Sequence, residues 1–343
     1  MLRGVLLTVD PERPEAATIE RAAAILRDGG LVSFPTETVY GLGANALDPA
    51  AIARIYAAKG RPATNPLIVH VADVAGAREL VASFTAQAEA LAAAFWPGPL
   101  TLVLPKGARV PDAATAGLPA VGVRVPAHAV ALALIRAAGV PVAAPSANRS
   151  TELSPVSARH VERSLGDRID LILDGGPTRV GIESTVVDLT GARPRILRPG
   201  VIESAQIQAL VGVLDEPPAR SDARERGSSA NAPQLAPGQM DRHYAPRARL
   251  VLARAADPFA RELARTARAR GEVVGLISLG ELELDSDVAV RLPRDPRACA
   301  ARLYATLHAF DDEGCALVVV EAPPRDAAWD GVRDRLERAA TPA

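Results

Sequence analysis

From about residue 214 to 246 the chain stops being able to build a core. The stretch DEPPARSDARERGSSANAPQLAPGQMDRHYAP is rich in proline, serine, arginine and aspartate and almost devoid of apolar residues. It cannot bury enough surface to offset the entropy of ordering it. A 343-residue chain interrupted in this way is expected to fold as two units, in keeping with domains of roughly 150 residues. The predicted division is a first domain over 1–212, a linker over 213–247 and a second domain over 248–343. The end of the linker is odd for its kind, because GQMDRHYAP sets Met240, His243 and Tyr244 close together.

Both units alternate strand and helix patterns. In the first, EAATIERAAAILRD places Ile19, Ala22, Ala23 and Leu26 on one helical face, Gly29-Gly30 stops the helix, and LVSF follows as a strand. Asp48-Pro49, an N-cap with proline at the first helical position, opens a second helix that runs to Gly60, and PLIVHVA is the next strand. Alanine-rich helical stretches near 74–82 and 85–95 lead to the breaker WPGP at 96–99 and the strand TLVL. The strand AVGVRV, a helix from about His128 to Ala138, the strand VPVAA, a helix near 156–165 and the strand DLIL continue the alternation. STVVDL, RILR and a helix near 203–211 complete it, and these adjacent short strands imply a mixed sheet. In the second unit RLVLA, VVGLISL and ALVVVEA alternate with helices near 257–269, 296–310 and 326–339. The fold class expected is therefore α/β: a mixed-sheet domain followed by a smaller Rossmann-like parallel-sheet domain.

Composition narrows the function. Apolar residues at 48% and charged residues at 23% are ordinary for a globular protein with a sizeable core. A net charge of -1 argues against a general polyanion-binding surface, so anion recognition has to come from local clusters of cations. The two cysteines, Cys299 and Cys315, form neither a disulfide framework nor a metal cluster and fit a reducing compartment. The opening MLRGVLLTVDPERP lacks the apolar run of a signal peptide, and no stretch approaches the ~20 apolar residues of a membrane span. The expectation is a cytoplasmic protein without a membrane partner. There is no P-loop, no GxGxxG in the second unit, and no Cys/His set with zinc spacing.

The residues that could carry chemistry sit at strand ends, where open α/β sheets bind their ligands. After LVSF come Thr36, Glu37, Thr38, Tyr40 and Gly41-x-Gly43, which read either as a ligand wall or as a plain polar turn. In KGRPATNPL the cations Lys59 and Arg61 and the amide Asn65 leave a helix within seven residues. Placement at a helix C-terminus explains Lys59 but not the Arg-Pro and Asn-Pro dipeptides that fix the loop, and an anion between the cations would explain both. All but two of the 39 basic residues are arginine, so the retained Lys59 and Lys106 mark places where a compact ammonium is a candidate requirement. Arg124 in AVGVRVP either points to solvent or meets a carboxylate or phosphate. AAPSAN at 143–148, with Ser154 beyond it, suits phosphate contacts or is a serine-rich turn, and Ser146 lacks the G-x-S-x-G setting of a hydrolase nucleophile. GIESTVVDL offers Glu183, Ser184 and Thr185, and RILRPG offers Arg195 and Arg198, the latter before a Pro-Gly turn.

Taken in order, FPTETVYGLG, KGRPxxNPL, FWPGPLTLVL, VGVRVP, APSAN and GIESTVVDL with ILRPG resemble the YrdC-like family, densely over residues 15–202. The second domain joined through HYAP is similar to that of the two-domain threonylcarbamoyl-AMP synthases. The resemblance implies a YrdC-like twisted mixed sheet and a nucleotidyltransferase that makes threonylcarbamoyl-adenylate and pyrophosphate from ATP, L-threonine and bicarbonate. The product serves threonylcarbamoyladenosine formation in tRNA. By position, threonine contacts fall on Thr36, His70, Arg124, Ala144 and Ser184. ATP contacts fall on Arg61, Asn65, Ala120, Ser146, Ser154, Arg198 and, from the linker, Tyr244. Lys59 and Arg61 take the catalytic, anion-neutralising places. Mg²⁺ is expected with ATP, with no metal ligand assigned, and the downstream threonylcarbamoyl-transfer machinery and tRNA are the further partners. The chemistry accounts for the cations, since the substrates bring about five or six negative charges into one cleft. No protein nucleophile is needed, so catalysis rests on positioning and electrostatics, and Tyr244 laid over the nucleotide would shield a labile carbamate. Two other readings stay open. One is a carbamoyl-adenylate transferase, whose relatives are longer chains with zinc-finger cysteines. The other is an RNA-binding YrdC-like module, which the near-neutral charge and 3% aromatics weaken.

Overall fold

The computed structural model describes residues 4–215, 244–254 and 257–340. Met240, His243 and most of the predicted linker lie outside the described residues. In the first domain, short strands rich in aliphatic residues form one sheet: β1 (Val5–Thr8), β2 (Val32–Phe34), β3 (Gly41–Asn45), β4 (Ile68–His70), β5 (Leu100–Pro105), β6 (Ala120–Arg124), β7 (Val142–Ala143), β8 (Leu171–Asp174), β9 (Thr185–Asp188) and β10 (Arg195–Arg198). Their order is β1-β8-β2-β3-β7-β4-β6-β5-β9-β10. β2 runs parallel to β8 and β4 parallel to β6, whereas β3 and β7 pair antiparallel with their neighbours. The sheet is mixed, as the adjacent short strands implied. Helix signals hold where they were strongest: the Asp48 carboxylate accepts from Ala50 N at 2.8 Å, Pro49 opens the helix Pro49–Lys59, and Gly60 ends it at φ 60°.

Of the two readings open for Gly41-x-Gly43, the plain turn is not realised, because Gly41–Asn45 is a strand. A Cβ at Gly43 would lie 2.8 Å from the Phe34 ring and 2.9 Å from Val142 Cγ1, so β3 can pass between β2 and β7 only as bare backbone. Its glycines mark close approach of neighbouring side chains, with no left-handed turn needed.

The second domain holds β11 (Arg249–Ala253), β12 (Val274–Ser278), β13 (Val288–Arg291) and β14 (Leu317–Glu321), all parallel in the order β11-β14-β12-β13. Asp257 and Asp295 cap the helices Pro258–Ala269 and Pro296–Asp312, and Asp330–Ala339 is the last helix. The edge strand β13 escaped the sequence reading because VAVR is too short and too half-exposed to announce itself. At the end of β14 the Glu321 carboxylate accepts from the main-chain N–H groups of Leu279, Gly280, Glu281 and Leu282 at 2.7–3.1 Å and from Ser278 Oγ at 3.1 Å.

The two domains share an apolar cluster in which Val39, Leu153, Val156 and Ile182 of the first meet Leu303, Tyr304, Leu307, Val332 and Leu336 of the second. Two glycines permit the approach. A Cβ on Gly181 (φ +81°) would lie 2.4 Å from Ala300 O, and one on Gly331 would lie 2.6 Å from Gly200 O. Alongside, His160 stacks on His308 with ring centres 3.7 Å apart, and Arg163 pairs with Asp312.

Candidate active site

The site is walled by residues at or just beyond the ends of β2, β4, β6, β7 and β10 and by those that enter β9. The turn after β2 is closed by Thr36, whose hydroxyl donates to Val39 O at 2.7 Å and lies 2.9 Å from Thr38 Oγ1. Thr38 Oγ1 in turn accepts from Arg124 Nη2 at 2.9 Å. Arg124, 4% exposed, also pairs with Glu37 Oε1 at 2.7 Å and donates from Nε to Gly98 O at 3.2 Å. Of the alternatives open for this arginine, the carboxylate is the one realised. Pairing of β4 with β6 sets His70 directly beside Arg124. Burial, and secondly the Arg124 charge, push the His70 imidazole down to about 3, so it is neutral at ordinary pH.

The loop after the helix Pro49–Lys59 is pinned from inside. Arg61 donates from Nε to Asn65 O at 3.2 Å and from Nη2 to Pro66 O at 3.0 Å. Burial lowers its pKa to about 10, which leaves it cationic at neutral pH. Lys59, 2% exposed, donates from Nζ to Ser146 O at 2.6 Å and to Asn148 O. Burial first and the Arg61 charge second hold the Lys59 ammonium well below its usual range. The ammonium thus braces the 146–148 loop from behind. The other lysine, Lys106, pairs with Asp112.

On the far wall, Ser184 Oγ lies 2.8 Å from Thr101 Oγ1, and Arg198 donates to Ser184 O and Ser184 Oγ, each at 3.1 Å. Glu183 accepts from Ser154 Oγ, from Tyr304 Oη at 3.2 Å and from Arg335 Nε at 2.6 Å. Burial alone would raise its pKa; the Arg335 and Arg198 charges outweigh that and hold it at about 2. Tyr244, 1% exposed with φ 60°, closes the remaining side.

These segments enclose one cavity. Of the residues singled out in the sequence, Thr36, Arg61, His70, Arg124, Ala144, Ser146, Ser184, Arg198 and Tyr244 line it. Lys59, Asn65, Ala120 and Ser154 are not among its lining residues. Asn65 receives Arg61 on its main chain, Ala120 lies at the start of β6 in register with Pro105, and Ser154 stands behind Glu183. Thr38, Val39, Gly41, Ile68, Pro145 and Glu183 complete the lining. A cavity walled by three arginines and short hydroxyls is suited to an anionic substrate.

Comparison with known proteins agrees with this chemistry. The Sua5–YciO–YrdC family model, described as "Telomere recombination", matches residues 24–200, and the model for the C-terminal domain of threonylcarbamoyl-AMP synthase matches residues 202–341. The chain belongs to the threonylcarbamoyl-AMP synthase family. The threonylcarbamoyl-AMP synthase of Pyrococcus abyssi is 43% identical over 332 residues, which span 96% of this chain and 95% of that relative. The Bacillus subtilis threonylcarbamoyl-AMP synthase is 40% identical over 340 residues, 98% of this chain and 94% of its own. The crystal structure of P. abyssi Sua5 complexed with L-threonine is similar with a TM-score of 0.89 at 42% identity, covering 98% of this chain and 97% of that one. Like the synthases it matches, this family member joins a YrdC-like domain to a second, parallel-sheet domain. Among the described residues no helix is long and apolar enough to cross a membrane.

Sequence reasoning missed the second domain's share in the site. Arg335 and Tyr304 reach Glu183 from that domain. The signal was present: Arg335 falls in the stripe Val332, Arg335, Leu336, Ala339, and Tyr304 in the stripe Ala300, Leu303, Tyr304, Leu307, both at helical spacing. A charged residue on an apolar stripe needs a buried partner.

Proposed function

We propose that this cavity joins ATP, L-threonine and bicarbonate into threonylcarbamoyl-AMP, releasing pyrophosphate. The observation that carries the reading is the convergence of Arg61, Arg124 and Arg198, from three separate segments, on one cavity lined by short hydroxyls. The threonine nitrogen attacks the bicarbonate carbon, and water leaves as the carbamate forms. A carbamate oxygen then attacks the α-phosphorus, the bond to the bridging oxygen breaks, and pyrophosphate leaves. Each step brings anions together, so fixed guanidinium groups lower the barrier without any covalent intermediate on the protein.

Arg124, held by Glu37 and Thr38, is placed to receive the threonine carboxylate beside Thr36 and Ser184, while neutral His70 adds no charge there. Arg61 and Arg198, with Ser146 and Tyr244, face the nucleotide. Lys59 acts at one remove, by fixing the loop that carries Ser146. Among the described residues no group of three or more His, Cys, Asp or Glu side chains is set to hold a metal ion, and the Glu183 carboxylate is taken by Arg335. On this reading Mg²⁺ enters with ATP, as part of the MgATP substrate. The mixed anhydride produced is consumed by a transfer reaction that delivers the threonylcarbamoyl group to adenosine in tRNA.

Incubation with MgATP, L-threonine and bicarbonate, followed by mass detection, is expected to give threonylcarbamoyl-AMP in step with pyrophosphate. Adenylate formation with another amine but not with threonine would keep the chemistry and overturn the substrate. Nucleic-acid binding without any pyrophosphate release would overturn the enzyme.

A further inference from the structure

Arg335 has no side-chain exposure although its helix places it on an apolar stripe. A guanidinium there is tolerable only when its donors are met. Nε donates to Glu183 Oε2 at 2.6 Å, Nη2 to Glu183 O at 3.2 Å, and Nη1 to Pro199 O and Asp334 Oδ2, each at 2.8 Å. Its Cζ also stands 5.2 Å from the centre of the Tyr244 ring. Glu183 is the chain neighbour of Ser184, and Pro199 is the chain neighbour of Arg198. Arg198 and Ser184 are themselves joined across the cavity wall. A single side chain of the second domain thus grips both main-chain segments that carry this pair, and it backs Tyr244 as well. Arg335 is not itself a cavity-lining residue. The task calls for a rigid planar fork; a lysine would bring the charge to Glu183 but could not span Pro199 O as well.

We infer that Arg335 is a positioning residue for the synthase reaction. Through it the C-terminal domain sets the spacing of the Glu183–Ser184 and Arg198–Pro199 segments, and with it the substrate-facing geometry of Ser184, Arg198 and Tyr244. This rests on the synthase reading of the cavity and gives the second domain a direct part in it.

The test uses the full chain as wild type, R335M and R335K, with thermal unfolding, ATP binding by calorimetry, and pyrophosphate release at varied threonine. The expected result is a weaker ATP Kd, a raised KM for threonine and a kcat/KM lower by roughly tenfold to a hundredfold in folded R335M, the scale on which small displacements of a site act. R335K is expected to lie between R335M and wild type. A merely structural role would lower the amount of active protein, and so kcat, with Kd and KM unchanged; that outcome overturns the inference. Wild-type Kd, KM and kcat in R335K overturn it too, whether or not R335M folds. Should the wild type release no pyrophosphate with threonine, the synthase reading falls, while the ATP calorimetry of the variants still decides whether Arg335 shapes the cavity.

Discussion

At the carboxyl end of β14 the second domain gathers four main-chain N–H groups and a hydroxyl round the Glu321 carboxylate. At the carboxyl ends of β4 and β6 the first domain gathers cations and hydroxyls round a cavity. Both are the place where an open α/β sheet collects anion-binding groups. In one, the anion is a side chain of the same domain, which closes the turn. In the other, Arg61 meets main-chain carbonyls that fix its direction without cancelling its charge. The difference separates a structural use of the sheet end from a catalytic one: Glu37 pairs with Arg124, yet the carbonyls that hold Arg61 leave its charge for a ligand.

The largest effect that would break this contrast is at Arg124. R124A leaves Glu37 buried without its counter-charge, which costs about 3–5 kcal/mol, and it removes a substrate cation. Urea unfolding should show that loss, and pyrophosphate release should fall at least about a hundredfold. A variant that is destabilised yet fully active would put Arg124 on the structural side of the contrast.

Glu321 tests the other side. E321A strands donors that now have a charged acceptor, with an expected cost of about 1–3 kcal/mol in unfolding free energy and little change in kcat/KM of the folded enzyme. Lost activity at full stability would show that the second sheet end is functional as well.

A smaller effect sharpens where the two regions meet. Burial first and its stacked neighbour His308 second push His160 down to about 3, and burial also lowers His308. Arg159, Arg163, Asp311 and Asp312 are the charged groups around the pair. Because the folded state resists protonation, these histidines contribute stability that is complete above the unfolded pKa of about 6.5. It declines as pH falls from there toward about 3. Unfolding midpoints measured from pH 7.5 to 5 should fall, and less steeply in H160Q. A slope unchanged in H160Q would remove the pair from the account. The smallest effect is Y40F, which deletes the hydroxyl donating to Gly176 O at 2.6 Å and should cost about 1 kcal/mol in the same urea assay; an unaltered midpoint would show that Tyr40 is held by packing alone.

The strand ends of the first domain were legible in the sequence because the residues there break the strand pattern. Thr36, Arg124, Ser146 and Arg198 follow or end apolar runs, and all line the cavity. Lys59 was conspicuous by its rarity, but rarity does not say which way an ammonium points, and it points at the carbonyls behind the site. Gly41-x-Gly43 stays open in the sequence between ligand wall and turn because the reason for its glycines, the Phe34 ring and Val142, lies on other strands. Glu37 was noticed without its partner, since β2 and β6 are far apart in sequence. The same distance hid Arg335, about 150 residues from the carboxylate it meets.

Gly181 and Gly331 bring the two domains to within the thickness of bare backbone. Two hydrogens, where any other residue would carry a carbon, therefore act as spacers calibrating the reach of Arg335. An alanine at Gly331 would alter none of the residues that line the cavity, yet it would wedge the last helix away from Gly200 and draw the guanidinium fork back from both segments it grips. Two positions that carry no chemistry at all thus leave no room for a side chain.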